Sequence, residues 1–396
     1  MINRRQLVCA AGSLVLAQAA TKAFGAAAPR YDLIIKGGRV IDPSQRIDGI
    51  RDVAVLNGRI AAVETTIAAD AAQTLDARGK IVTAGLLDIH THCGRDGRGP
   101  GLVLQDGVTG WIDAGSNGAD HISDSVAIAR TGPQLGRCLI NIGRAGILPE
   151  GDTMNIANAD VGALRDAIAK NRDYVVGVKA RLSRDVAGPN DVEVMKRTQE
   201  VATAFNLPVM IHMGQTVSPL PAIINQLKRG DIVTHMFAPP PNSIIDDNGH
   251  ILPEVLAARR RGVWFDVGNG MTGHMRWDTV EAIMKTGFWP DTFSTDWNVN
   301  AHMTGVIDLE NCMSKLLGYG MTVPQAVARV TANASRTFEV FRDRGTLNVG
   351  AVADVALLEL RDGNFEFLDN FGNKIMGKQR FFPAGTVLGG KPVARA

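Results

Sequence analysis

The sequence has few aromatic residues and few cysteines. Aromatic side chains make up 5% of the 396 residues, whereas glycine occurs 43 times. This composition suits many short turns between strands and helices better than a β-sandwich alone. Of the four cysteines, Cys9 falls in the N-terminal segment described below, and Cys93, Cys138 and Cys312 are isolated. They form neither a disulfide framework nor a C-x-x-C metal clip, so we interpret them as small buried apolar residues.

The chain also lacks an excess of charge of one sign. Lys and Arg number 42 and Asp and Glu 40, a formal net charge of +2, and no long charged run occurs. Because nucleic acids and membrane surfaces usually attract basic clusters, we expect neither as a partner. A chain of this length, 45% hydrophobic, can bury one large core and a smaller second one. We expect a small-molecule substrate and a homo-oligomer.

The N-terminus is typical of an export signal. A basic head, "MINRRQ", precedes the apolar segment "LVCAAGSLVLAQAA" and the small residues of "AFGAAAP". The apolar segment is shorter than the roughly 20 residues of a membrane span, so cleavage near Gly25 to Ala28 would leave no stable membrane association. Arg4 and Arg5 resemble a twin-arginine signal. We therefore predict a signal in residues 1–28 and a periplasmic or secreted protein.

The rest of the chain divides into two kinds of pattern. Residues 30–83 and 345–396 alternate apolar and polar residues between Gly and Asn-Gly turns, which predicts strands that pair into one split β-sandwich domain. Residues 84–344 contain eight strand candidates, from "GLLDIHTH" to "DTFSTDW", separated by segments of helical length. This rhythm predicts an α/β fold with a (β/α)₈ barrel, which places chemistry at the carboxyl ends of its strands.

Metal-ligand side chains occur at those strand ends. Residues i and i+2 of a strand face the same side, so His90 and His92 can both enter the mouth of the barrel. Four further candidates end strands four, five, six and eight: Lys179, His212, His235 and Asp296. Each histidine alone is more often an ordinary core residue, but six such positions in one register favour a site for Zn²⁺ or a similar divalent ion.

Lys179 needs its own chemical explanation, because an ammonium ion is not a metal ligand and is costly to bury. A desolvated lysine loses its proton more easily. The neutral amine can add CO₂, and the resulting carbamate can bridge two metal ions about 3.5–4 Å apart. We therefore expect a carbamate on Lys179 and a binuclear site.

These motifs resemble the amidohydrolase superfamily. The resemblance rests on Asp88-x-His90-x-His92, the strand-four lysine, two further strand-end histidines and the "STD" aspartate, and it extends over most of the mature chain. The stretches "DAGSNGAD", "VVGVKARLS", "GDIVTHMF" and "FDVGNG" resemble the deacetylase-type branch, which is related to dihydroorotase. The flanking strands are similar to the split β-sandwich of that superfamily.

The resemblance implies a role for each ligand. His90, His92 and Asp296 would hold one ion, His212 and His235 the other, and carboxylated Lys179 would bridge them together with a hydroxide. The ions would be Zn²⁺, with Mn²⁺ as an alternative. The hydroxide would attack an amide or ester, and Asp296 would act as acid and base.

The sequence departs from the branch at two places that should face the substrate. Gly268-Asn269-Gly270 stands where we expect Gly-His-Gly, and Trp297-Asn298 where we expect Leu-His. His274 and His302 lie nearby in the sequence and are candidates to replace these histidines, while Arg181 and Arg184 are candidates to bind a substrate carboxylate. The predicted substrate contacts are therefore Arg181, Asn269, His274, Asn298 and His302.

Several functions stay open at this point. The same binuclear site would also serve a cyclic amide, as in dihydroorotase or hydantoinase, a lactone or a phosphotriester. A nucleobase aminohydrolase typically uses one ion without a bridging lysine, so Lys179 argues against it. A non-catalytic scaffold would be expected to lose ligands, and all six candidates are present here.

Overall fold

The computed structural model describes residues 31–303 and 307–394. The predicted export signal, residues 1–28, lies outside the described residues. Within the described ranges, no helix combines the length and the apolar character needed to cross a membrane.

Strands dominate both ends of the described chain, and strands alternate with helices between them. The strands are β1 (Tyr31–Asp42), β2 (Ile47–Leu56), β3 (Arg59–Glu64), β4 (Ala71–Asp76), β5 (Ile81–Ala84), β6 (Leu86–Thr91), β7 (Val108–Ala114), β8 (Leu135–Asn141), β9 (Val175–Arg181), β10 (Val209–His212), β11 (Ile232–Thr234), β12 (Trp264–Phe265), β13 (Val355–Leu368), β14 (Lys374–Leu388) and β15 (Lys391–Pro392). The α-helices are α1 (Gly99–Gln105), α2 (Ile122–Thr131), α3 (Val161–Lys170), α4 (Asp191–Phe205), α5 (Leu220–Ile224), α6 (Pro253–Arg261), α7 (Trp277–Lys285), α8 (Val299–Met303), α9 (Leu309–Lys315) and α10 (Val323–Val330).

The two ends of the chain form one mixed sheet with the order β15-β14-β13-β5-β1-β2-β3, and β4 pairs with β1. The chain ends join where β13 pairs antiparallel with β5, for example Val355 with Ala84. Strand β1 changes neighbour along its length, from β4 to β5, at a bulge near Gly37, whose φ of 71° favours glycine. Apolar side chains of this sheet form a hydrophobic core that is separate from the core of the barrel. The predicted second domain built from both chain ends is therefore confirmed.

The central part forms a parallel sheet in which β6 to β12 follow one another in chain order. Residues 291–297 close this sheet between β12 and β6. Asp296 N donates to His90 O at 2.7 Å on one side, and Val267 N donates to Thr292 O at 3.2 Å on the other. The predicted barrel is confirmed, with one difference. The eighth segment is not a regular strand, because Asp296 adopts a φ of 55°, which is incompatible with an extended chain.

Burial explains the apolar runs of the barrel strands. Every residue of β6 and β7 is buried, as expected for strands covered by helices on one side and by the barrel interior on the other. His90 lies near the carboxyl end of β6, and His92 follows it directly. The strand ends therefore point their polar residues into one shared cavity at the top of the barrel.

Candidate metal centre

The six predicted ligands converge at the carboxyl ends of the barrel strands. Their positions are His90 on β6, His92 after it, Lys179 on β9, His212 at the end of β10, His235 directly after β11, and Asp296 in the closing segment. All of them except His235 line one cavity of about 350 Å³. His235 is fully buried beneath them.

Asp296 is the centre of the first group. Its Oδ1 lies 3.2 Å from His90 Nε2 and 3.1 Å from His92 Nε2. Two ligand atoms bound to one tetrahedral Zn²⁺ at about 2.0–2.1 Å would lie about 3.3 Å apart. The spacing of these atoms therefore fits ligands of a shared ion.

A second group consists of His212, His235 and His274, whose ligand atoms all lie within 4.8 Å of one another. The ring of His274 stacks on that of His235 at 3.9 Å. His235 Nε2 is buried and has no hydrogen-bond partner among the described residues. A buried imidazole nitrogen without a partner is unusual unless it binds a ligand, so these residues fit a second metal ion.

Lys179 lies beside the first group and lines the same cavity as His212 of the second group. Its Nζ is 3.4 Å from His90 Nε2, and its side chain is buried. Burial is the largest effect on the amine and lowers the pKa of Lys179 to about 7. A substantial fraction of the amine is therefore neutral at neutral pH, which is the form that reacts with CO₂.

Hydrogen bonds at Nδ1 hold the rings of two predicted ligands, His90 and His235. His90 Nδ1 lies 2.8 Å from Thr234 Oγ1, and this hydroxyl donates to Asp266 at 2.7 Å. Because its proton is used there, the hydroxyl accepts the Nδ1 proton of His90. His235 Nδ1 likewise donates to Gly268 O at 2.6 Å. The Nε2 lone pair of each ring is then free to bind a metal ion.

The same arrangement holds His92. Its Nδ1 lies 2.8 Å from Ser116 Oγ, which donates to Asp113 at 2.7 Å. The sequence analysis missed these supporting residues on both sides of the site. Thr234 directly precedes His235, and Ser116 lies two residues after the second barrel strand, in "DAGSN", so their positions were available as signals.

The backbone is strained at two of the predicted ligands. His235 has a φ of 66° and Asp296 a φ of 55°, in the left-handed region that non-glycine residues seldom adopt. Such conformations cost about 1–3 kcal/mol each and cluster at functional sites.

The structure brings together only some of the predicted substrate residues. Arg181, His274 and Asn298 line the cavity, and Arg181 Nη1 donates to Asp152 at 3.1 Å. Asn269 and His302 are not part of the cavity wall, and Arg184 is not either. Polar residues of the wall that the sequence analysis did not identify are Ser183, Asp185, Gln215 and Thr272.

Asn269 and His302 bond to other residues of the protein, and their predicted contact with substrate stays a prediction. Asn269 Oδ1 accepts from Lys315 Nζ at 2.7 Å. His302 Nδ1 accepts from the indole nitrogen of Trp297 at 3.3 Å. In both cases, a neighbour that is not part of the cavity wall satisfies the side chain.

Comparison with known proteins identifies the family. A deacetylase from Enterococcus faecalis is 29% identical over 371 residues, covering 91% of this chain and 98% of that protein. A dihydroorotase from Citrifermentans bemidjiense is 27% identical over 397 residues, covering 83% of this chain and 90% of that protein. The crystal structure of an adenine deaminase superimposes with a TM-score of 0.84 at 28% identity, covering 92% of this chain and all of that chain. Because residues 81–393 match the model of the amidohydrolase family, the chain belongs to that family of hydrolases acting on C–N bonds.

Proposed function

We propose that the protein is a binuclear metal-dependent hydrolase of the deacetylase type, which cleaves an amide or ester bond in a small molecule. The observation that carries this proposal is the convergence of six predicted ligands at the strand ends, together with the buried Nε2 of His235, which has no hydrogen-bond partner among the described residues. The deacetylase from E. faecalis, which aligns with nearly the whole chain, supports the reaction type.

The proposed ligand sets are drawn from the two groups of side chains, except that we assign His274 of the second group to the substrate. His90, His92 and Asp296 would hold one ion, and His212 and His235 the other. A carbamate on Lys179 would bridge them. Imidazole nitrogen and carboxylate oxygen favour Zn²⁺, with Mn²⁺ as the alternative. When bound, such ions polarise a carbonyl group and lower the pKa of water to about 7.

Asp296 would transfer the proton. Burial acts to raise the pKa of this carboxyl, but the neighbouring imidazoles of His90 and His92 outweigh burial and hold the pKa well below its usual range. The carboxylate is therefore ionised at neutral pH and can accept a proton from water and return it to the leaving group. One positioned acid or base of this kind contributes about 10²–10⁴-fold.

The cavity suits a small substrate. Its volume of about 350 Å³ lies at the lower end of the range for small-molecule pockets. Arg181, His274 and Asn298 line it, and we propose that they orient the substrate. The guanidinium of Arg181 is a suitable partner for a substrate carboxylate.

Three other kinds of substrate would use the same cavity. Hydrolysis of a cyclic amide is favoured by the similarity to dihydroorotases, and a lactone would react in the same way. Deamination of a nucleobase is suggested by the similarity to the adenine deaminase structure. The buried Lys179 beside His90 favours a bridged pair of ions over the single ion that we expect for such a deaminase.

A substrate screen tests the proposal. The Zn²⁺- and Mn²⁺-loaded enzyme would be incubated with N-acyl amino acids, O-acetyl hydroxy acids, hydantoins, lactones and adenine. We expect release of acetate or another carboxylic acid from an acyl substrate, at a rate at least about 100-fold lower in the Asp296→Asn variant. Ring opening of hydantoins or lactones alone would favour the cyclic substrates. Release of ammonia from adenine alone would contradict the deacetylase proposal.

A further inference from the structure

One wall of the cavity is a loop that follows β12, residues 268–276, which we call the cavity loop. Thr272, Gly273 and His274 of this loop line the cavity. Gly270 packs so tightly on His274 that a Cβ atom at this position would overlap the imidazole ring. The conformation of the cavity loop therefore determines where His274 points.

The cavity loop is held by a part of the molecule outside the barrel. Strands β13 and β14 form a long hairpin of the second domain, and its tip, residues 369–373, reaches this loop. Asn370 makes three hydrogen bonds across the contact. His274 N donates to Asn370 Oδ1 at 2.9 Å, Asn370 Nδ2 donates to Gly270 O at 3.0 Å, and Asn370 N donates to Met275 O at 3.0 Å.

Asp369 orders the hairpin tip itself. Its carboxylate accepts from the backbone N of Phe371 and of Asn373, both at 2.8 Å. It also accepts from Trp277 N at 3.2 Å, directly after the cavity loop. The same carboxylate therefore shapes the turn and attaches it to the barrel.

Lys315, at the end of α9, bonds to both the cavity loop and the hairpin. Its Nζ donates to Asn269 Oδ1 at 2.7 Å and to Leu368 O at 2.8 Å, and its side chain is only 2% exposed. This bond explains why Asn269 faces away from the cavity. The buried ammonium group of Lys315 opposes separation of the cavity loop from the hairpin. If either segment moved away, the ammonium group would lose a hydrogen-bond acceptor while still buried, which is costly.

We infer that the hairpin tip, through Asn370, is a positioning element for the cavity loop and sets the orientation of His274. Asn370 does not line the cavity, so it acts through the loop and not on the substrate. The effect of Asn370 on activity rests on the proposed function, whereas its effect on the loop does not. The second domain would then contribute to the geometry of the active site as well as to stability.

Hydrogen exchange of the loop tests the inference without any substrate. Asn370→Ala removes both side-chain hydrogen bonds to the loop, and one of them is the only hydrogen bond of the His274 amide among the described residues. Exchange of this amide, followed in peptides covering residues 268–276, should therefore become about five- to tenfold faster, as expected when the hydrogen bond that protects it is lost. Asn364→Ala is the matched control, since Asn364 lies on the same hairpin in an exposed contact with Lys378. It should leave the exchange of these peptides unchanged. Unchanged exchange in Asn370→Ala, or equal changes in both variants, would overturn the inference.

The Asn370→Asp variant covers the case in which Asn370→Ala does not fold. Aspartate keeps the oxygen that accepts from His274 N and loses the donor to Gly270 O, so the His274 amide should stay protected. Rapid exchange of this amide in a folded Asn370→Asp protein would contradict the role of the Oδ1 acceptor.

A double-mutant cycle then tests the link to His274. We expect Asn370→Ala to lower kcat/KM in the wild-type background and to have little further effect in a His274→Ala background. Bound metal should be equal in Asn370→Ala and Asn364→Ala. Additive effects would mean that Asn370 acts elsewhere and would overturn the inference. If the wild type cleaved none of the screened substrates, the proposed function would fail, while the exchange result would still decide the positioning role.

Discussion

Thr234→Val removes a hydroxyl that orients a predicted ligand and leaves the shape of the side chain almost unchanged. In the wild type this hydroxyl accepts from His90 Nδ1 at 2.8 Å and donates to Asp266 Oδ2 at 2.7 Å. Asp266 Oδ2 would still accept from Ser294 Oγ at 2.5 Å, so the loss falls mainly on His90. Its Nδ1 proton would be buried without a partner, and the ring would lose the bond that fixes its tautomer.

The expected cost has two parts. Removal of a hydrogen-bond partner behind a metal-binding histidine lowers metal affinity about 10–100-fold, or about 1.4–2.7 kcal/mol. The unpaired N–H should also lower the free energy of unfolding of the metal-free protein by about 1–3 kcal/mol. Zinc affinity would be measured by competition with a fluorescent chelator, and unfolding by urea titration of the metal-free protein.

Thr109→Val is the matched control. Thr109 is fully buried on strand β7, which pairs with the strand that carries His90. Its hydroxyl has no hydrogen-bond partner within residues 31–303 and 307–394. Removing that hydroxyl should leave zinc affinity unchanged and should not reduce stability. If Thr234→Val bound zinc as tightly as Thr109→Val and the wild type, the reasoning about His90 would be refuted.

Three further predictions concern the proton transfer, the bridge and the destination of the protein. Asp296→Asn should lower kcat at least about 100-fold while the protein stays folded; near-normal turnover with normal metal content would rule out its role as acid and base. Lys179→Ala should lose metal and most activity, and added acetate or propionate should restore part of the rate; full metal content in this variant would contradict the bridge. N-terminal sequencing of fractionated cells should find a mature start near Gly25 to Ala28 outside the cytoplasm, whereas an uncleaved cytosolic chain would contradict export.

The barrel and the convergence of its strand-end side chains could be predicted from the sequence because both depend on short-range rules. Alternation within a strand puts His90 and His92 on one side, and parallel strands of a barrel end at one face. The position of a ligand at the end of a strand can therefore be predicted without knowing which distant residues contact it.

The loops could not be predicted in this way, because contacts far apart in the sequence determine them. Asn269 follows a strand, as a substrate residue would, yet Lys315 binds its amide oxygen from 46 residues away. His274 enters the histidine group because Asn370, 96 residues away, holds its backbone. No periodic pattern in the sequence encodes these two contacts.

The closing segment of the barrel was predicted as a strand and is irregular for a local reason. Asp296 takes a left-handed conformation, which the alternation in "DTFSTDW" does not indicate. The strain turns its carboxylate toward His90 and His92, and the hydrogen bond from Asp296 N to His90 O closes the barrel there. Local propensity gave way at this position to the geometry of the site.

The central claim is a pair of ions bridged by a carboxylated lysine, and a high-resolution crystal structure of the zinc-loaded enzyme tests it most directly. Anomalous scattering should reveal two zinc peaks about 3.5–4 Å apart, one beside His90, His92 and Asp296 and the other beside His212 and His235. Density for a carbamate should connect Lys179 to both peaks. A single zinc peak, or a bare ammonium group at Lys179 that points away from two bound ions, would contradict the claim.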